Sequence, residues 1–252
     1  MSTLSLCVIG DEILNGKTID TNSQYVAQKC FDVGLQLKEI RVIKDDSNEI
    51  KRAISSLTKT SDIVFTSGGI GPTHDDITYQ SLAETFDKRL VYDVDTGERL
   101  KKLTGAARLN DGQIRMCTVP EPDEPIIYTE GLWQPIVCVK NVYIFPGVPR
   151  LFRNMVDTWM NKKSSHYNLQ KRTRIALKTN MKESEISITL GNFQERAISL
   201  GWTIGSYPKM EAYPSRSWVE ISISGPSLSN ERLDKLDQLI SDLIETYSAE
   251  KM

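Results

Sequence analysis

Histidine is nearly missing from this sequence: only His74 and His166 occur in 252 residues, so a histidine-rich metal centre is excluded. Four cysteines stand far apart at Cys7, Cys30, Cys117 and Cys138, and their spacing spells neither a zinc framework nor a C-x-x-C redox pair. Cys7 and Cys138 lie inside apolar runs, where a small buried thiol is expected. A reducing, cytoplasmic location follows from that usage. No apolar run approaches the ~18–20 residues of a membrane span. Runs such as Leu6–Ile9 and Ile136–Val139 are of strand length. The N-terminus has neither the basic start nor the apolar middle of a secretory signal. Charge of one sign is not in excess either. Lys and Arg number 31 against 33 Asp and Glu, a net charge of -2. Such a balance does not suit a module held to nucleic-acid phosphates, and no membrane or nucleic-acid partner is expected.

What remains is the composition of a globular protein, with 39% hydrophobic and 25% charged residues. At ~150 residues per domain the length allows one or two domains, each with a core of its own. The first ~90 residues alternate strand and helix patterns. Leu4–Ile9 reads as a buried strand. Asp20–Ser23 offers helix-capping residues before Tyr25, Val26, Cys30 and Val33, and Gly34 ends that helix. Leu35–Ile43 reads as a strand. Asp46-Ser47 caps a helix with Ile50, Ala53, Ile54 and Leu57 on one face. Ile63–Phe65 is a third strand, and Asp75-Asp76 is read as opening a third helix carrying Ile77, Leu82, Ala83 and Phe86. Residues 94–116 read as helical. Lys140-Asn141 reads as a hairpin turn, and Pro146–Pro149 leads into a helix with Leu151, Phe152, Met155, Val156 and Trp159. Strand–helix repetition with short connections predicts a first domain over residues 1–165 built on a mostly parallel sheet covered by helices. A polar, basic connection over 161–171 follows. Then comes a second, smaller α/β domain over 172–252, built as strand, helix, two strands and helix.

In a parallel sheet the loops after the strand ends form the ligand crevice. Two such loops carry chemistry. In Ser67-Gly68-Gly69-Ile70-Gly71, three glycines in four positions let backbone N–H groups converge and a ligand approach closely, as a phosphate requires. Asp75 and Asp76 follow it, and Asp11 and Glu12 follow the first strand. Two unit charges ~4 Å apart repel by ~4 kcal/mol at an effective dielectric of ~20. Carboxylates beside a phosphate therefore call for a divalent cation with oxygen ligands. Asp11, Glu12, Asp75 and Asp76 are the expected metal ligands, with Mg²⁺, Mn²⁺ or Co²⁺ as the ion; the plain alternative is a sharp strand-to-helix turn followed by helix-start acids that complement the dipole. No tightly bound organic cofactor is expected. His74 reads as an exposed loop residue. Thr21 and Asn22 also suit plain helix capping.

The stretches Gly10–Gly16, Asp20–Ser23, Ser67–Thr78 and Phe145–Pro149, in this order, resemble the molybdopterin-binding-like domain of the CinA proteins, which also forms the N-terminal part of eukaryotic FAD synthase. Met181–Glu185 and Ile204–Pro208 resemble that family's small second domain, sometimes described as KH-like, with Gly205–Pro208 in the form of the FAD synthase branch. The resemblance implies a metal-dependent pyrophosphatase that cleaves FAD or ADP-ribose to AMP and a second phosphate ester. It also implies a three-layer α/β/α fold for the first domain, and self-association. Asp75, Asp76 and Glu12 would be catalytic. Gly10, Asn15, Asn22, Ser67, Gly68, Gly69, Gly71, Asn110, Pro146 and Gly147 would bind the nucleotide substrate. Neither the amidase domain of full-length CinA nor a sulfate-reductase-like FAD synthetase domain is recognised, so amide hydrolysis and FAD synthesis are not expected. Two other readings share the crevice: a protein that binds or adenylylates molybdopterin, and an inactive nucleotide-binding module. One departure bears on the ligand. Where the family carries an Asn-Pro…Gly-x-Ala-Pro-Gly type of stretch, this chain has Tyr128-Thr129-Glu130-Gly131-Leu132-Trp133-Gln134-Pro135. Trp133 could stack on a ring or simply pack. A KH-type RNA role needs a G-x-x-G loop, and residues 172–225 have none.

Overall fold

Short continuous apolar runs such as Leu6–Ile9, Ile63–Phe65 and Ile136–Val139 dictate strands buried on both faces, and the computed structural model contains a sheet built from them. It describes residues 2–167, 169, 171–210, 217–227 and 230–252. The chain divides into two units, Met1–Leu169 and Gln170–Met252. In chain order the first unit contains β1 (Thr3–Ile9), α1 (Asp11–Leu14), α2 (Asn22–Val33), β2 (Gln36–Ile43), α3 (Ser47–Thr60), β3 (Ile63–Ser67), α4 (Thr78–Thr85) and β4 (Leu90–Tyr92). It continues with α5 (Val94–Thr104), α6 (Asp111–Met116), β5 (Thr118–Pro120), β6 (Ile127–Tyr128), β7 (Pro135–Val139), β8 (Val142–Phe145) and α7 (Pro149–Lys163). Six strands form one sheet in the order β2-β1-β3-β8-β7-β6. Its first four strands are parallel, and β7 and β6 run antiparallel.

Each strand sends alternate residues to opposite faces. Leu4, Leu6, Phe65, Tyr143 and Phe145 meet Val26 and Cys30 of α2 and Phe152, Met155 and Trp159 of α7. Cys7, Ile9, Val64 and Ile144 meet Ile50, Ile54 and Leu57 of α3 and Tyr79 and Leu82 of α4. The result is a three-layer α/β/α domain with all four cysteines buried as free thiols. Gly34 closes α2 at a φ of 83°, and Asp46 caps α3 by accepting from the Glu49 N–H.

Three local readings change. The helix after the glycine loop starts at Thr78, so Asp75 and Asp76 precede it rather than open it. The 94–116 stretch is two helices, broken after Gly105, and Asn110 caps the second of them, α6, by accepting from the Gln113 N–H. The supposed connection begins inside α7, which runs to Lys163, where the Lys163 ammonium pairs with Glu124 at 2.6 Å. Residues 168 and 170 of that stretch lie outside the described residues.

The second unit contains β9 (Arg172–Thr179), α8 (Glu183–Ser199), β10 (Thr203–Lys209), β11 (Trp218–Pro226), α9 (Asn230–Tyr247) and β12 (Glu250–Lys251). Its short last strand is too brief to show a sequence period. The sheet order is β10-β11-β9-β12, all antiparallel, a split β-α-β arrangement. Leu177, Ile221 and Ile223 face Ile186, Phe193, Leu239 and Leu243 in a separate core.

Candidate active site

Two turns meet at the strand ends of the parallel sheet. After β1, the Gly10 N–H donates to the Ile43 carbonyl at 3.1 Å, tying this turn to the end of β2. The Asp11 N–H then donates to Asp45 Oδ2 at 2.9 Å. The Glu12 carbonyl accepts from the Thr18 N–H at 2.9 Å. After β3, Gly68 and Gly69 hold φ values of 112° and 67°. A Cβ on Gly68 would stand 2.1 Å from the Ile9 carbonyl oxygen, and one on Gly69 2.2 Å from Thr78 Oγ1. Gly68 is thus required by the close crossing of the β1 and β3 ends, and Gly69 by the approach of Thr78 at the start of α4, as well as by their backbone angles.

Asp76 braces this loop from within. Its Oδ1 accepts from the Gly71 N–H at 2.6 Å and its Oδ2 from the Thr73 N–H at 2.8 Å. Arg115 donates to the Asp76 carbonyl at 2.8 Å. The Gly68 N–H donates to the Phe145 carbonyl at 3.1 Å. The Gly68 N–H is thus taken by the end of β8 and the Gly71 N–H by Asp76, so these two do not join the convergence on a phosphate that the glycine spacing suggests. The Thr73 hydroxyl faces both Asp75 and Asp76 and can donate its single proton to one at a time. Asn22 is buried and clamps a third segment to the loop: its amide donates to Ser67 Oγ at 2.9 Å and to the Gly147 carbonyl at 2.8 Å.

These turns enclose a cleft of about 500 Å³. Its polar wall carries Glu12, Thr18, Asp45, Thr73, Asp75 and Asp76 beside the backbone of Gly68–Gly71. Met116, Trp133, Gln134 and Pro146–Pro149 form much of the remainder, with Ile9, Pro72 and Leu151. Of the sequence candidates, Glu12, Gly68, Gly69, Gly71, Asp75, Asp76, Pro146 and Gly147 line it. Ser67 and Asn22 lie behind it as the clamp. Gly10 serves the turn, and Asp11 is exposed beside it with its N–H on Asp45. Asn15 is exposed and accepts from the Lys17 N–H, while Asn110 is occupied as the α6 cap. His74 is exposed.

Asp45 was missed. The signal was available, because β2 is parallel to β1 and its end must open on the same crevice. Burial pushes the Asp45 carboxyl above its ordinary range. The Asp11 N–H opposes this, and the charges of Glu12, Asp11 and Asp75 add to it. Asp75 is held below the ordinary range by the Thr73 hydroxyl, its own N–H, and the positive charges of His74 and Arg115. Among the described residues no three His, Cys, Asp or Glu side chains form a ready-made metal cage. The donor set nevertheless fits a hard divalent ion. Mg²⁺ keeps several waters and takes one or two carboxylates plus substrate phosphates, which asks for acids around one cleft and not a closed cage.

The fold and this glycine-and-carboxylate crevice define a class. Residues 5–165 match the family model described as a probable molybdopterin binding domain, and the chain belongs to that family. Among its relatives, a protein named "Probable FAD synthase" from Caenorhabditis briggsae is 31% identical over 229 residues, 83% of this chain and 44% of that protein. A protein of Archaeoglobus fulgidus is 30% identical over 222 residues, covering 86% of this chain and 88% of its own. The crystal structure of CinA from Thermoplasma acidophilum, a protein of unknown function, matches with a TM-score of 0.59 and 32% identity, over 65% of this chain and 98% of that one. The chain spans about half the length of the nematode FAD synthase relatives. No helix among the described residues is long and apolar enough to cross a membrane.

Proposed function

We propose that the chain is a divalent-metal-dependent hydrolase of a nucleotide diphosphate bond, acting on FAD or ADP-ribose and releasing AMP with the second phosphate ester. One observation carries this reading: Glu12, Asp45 and Asp75, from three separate turns, border the same cleft as the Gly68–Gly71 backbone. Their mutual repulsion is felt at Asp45. A diphosphate entering such a site needs a counter-charge. A bound Mg²⁺, Mn²⁺ or Co²⁺ supplies it and polarises the phosphoryl oxygens. Glu12, Asp45 and Asp75 would hold the ion, with Asp11 beside them. Asp75, exposed and hydrogen-bonded through Thr73, would orient the attacking water. Asp76 and Asn22 keep the loop and the Gly147 turn in register, so the diphosphate is positioned before the P–O bond breaks. Positioning and electrostatics supply most of the rate in such transfers.

The family description and the relatives' names support a nucleotide or pterin ligand. A second reading, adenylylation of molybdopterin, is favoured by the family description alone. Incubation with FAD, with ADP-ribose, or with molybdopterin plus ATP separates the two. The first reading expects metal-dependent AMP release from a dinucleotide. Release only of pyrophosphate from ATP, in the presence of molybdopterin, would establish the second instead.

A further inference from the structure

The stretch that departs from the family pattern is a built platform. Pairing of Ile127 with Ile136 and of Tyr128 with Pro135 makes 129–134 a hairpin loop. Its Tyr128 end is held by side chains. The Tyr128 hydroxyl donates to Asp93 Oδ2 at 2.6 Å, and the Arg99 guanidinium lies 4.0 Å from the centre of the Tyr128 ring. Inside the loop, Leu132 donates its N–H to the Thr129 carbonyl at 3.1 Å across Gly131, whose φ is 75°. Leu132 packs onto the core, whereas Trp133, the next residue, lines the cleft. Gln134 also lines the cleft, and its side-chain oxygen is buried without a hydrogen-bond partner. An indole that covers only core needs no polar neighbour of this kind. An indole beside an unsatisfied amide, in a cleft whose other wall is glycine backbone and carboxylate, has the two features that hold a heterocycle: a face to stack on and an edge to hydrogen-bond.

We infer that Trp133 is the stacking face for the planar nitrogen heterocycle of a nucleoside phosphate, with Gln134 at the ring's edge. The inference rests on the nucleotide reading above but concerns binding, not turnover. The ring is adenine or isoalloxazine, and the measurement distinguishes them. Calorimetry in Mg²⁺ with AMP, FMN and inorganic pyrophosphate is run on the wild-type chain, Trp133→Phe and Trp133→Leu, with thermal melting to confirm folding. The inference expects Trp133→Leu to weaken AMP or FMN about tenfold, in line with the usual contribution of one stacked base. Trp133→Phe recovers most of that loss, and pyrophosphate binding is unchanged throughout. An equal loss in Phe and Leu, a parallel loss of pyrophosphate, an unchanged affinity for both rings, or a wild-type chain that binds neither ring would overturn it. Ring-dependent binding without AMP release from FAD or ADP-ribose upholds this inference and sinks only the hydrolase reading.

Discussion

At the scale of single residues, Asp45 and Gly68 are each open to test by one substitution. The Asp45 carboxyl is pushed above its ordinary value of 3.8, mainly by burial. Below that value it is protonated in the folded and unfolded chain alike and changes nothing. As pH rises from 3.8 to the raised folded value, the unfolded chain ionises this carboxyl while the folded chain holds its proton, so stability falls and then levels off. Asp45→Asn keeps an acceptor for the Asp11 N–H and removes the charge. In chelated, metal-free buffer it is expected to raise the melting midpoint at pH 7 by about 1–4 °C, with the gain shrinking toward pH 4. An unchanged difference between these pH values would contradict the assignment. Glycine substitutions offer a second test. Gly105→Ala meets open space at a φ of 68° and should cost about 1–2 kcal/mol, the ordinary left-handed penalty. Gly68→Ala adds a clash with the Ile9 carbonyl and should cost clearly more in urea denaturation.

At the scale of elements, the glycine loop and its acids behave as one unit. Asp76→Asn leaves one carboxamide oxygen where two carboxylate oxygens serve Gly71 and Thr73. A stability loss of about 1 kcal/mol is expected, together with weaker diphosphate binding as the loop loosens, measured by melting and by pyrophosphate calorimetry. Full stability with unchanged binding would return Asp76 to the role of a mere cleft-lining acid. The glycine loop, the β1 turn and the helices around Val26, Ile50 and Phe152 were legible because their signals are local: period, caps and glycine. Asp45 was not, since its importance comes from strand pairing between residues far apart in sequence. The brace role of Asp76 was hidden for another reason. A carboxylate after a glycine loop has the same sequence signature whether it turns inward to amides or outward to a cation. Asn15 and Asn110 have local hydrogen-bonding partners that a motif does not reveal.

At the scale of the whole molecule, the two units hold separate cores. Trp159 sits fully buried among Phe65 and Tyr143, with ring centroids 4.9 and 5.1 Å away. Trp159→Ala is expected to cost the first unit about 3–5 kcal/mol. In hydrogen exchange, the amides of β9 and β11 should keep their protection, and their loss in parallel would contradict separate cores. The parallel sheet covered by helices was readable from strand–helix alternation, whereas the short β12 edge strand of the second unit carries too few residues for a period. The central claim is that carboxylates from separate strand ends act together on a diphosphate. Its most direct test is AMP release from FAD and ADP-ribose, measured with Mg²⁺, Mn²⁺ and Co²⁺ for the wild-type chain and for Glu12→Gln, Asp45→Asn and Asp75→Asn. The expected result is release that requires the metal and falls at least about a hundredfold in each folded variant. Folded wild-type protein that releases no AMP with any of the three metals, or variants that turn over at the wild-type rate, would contradict it.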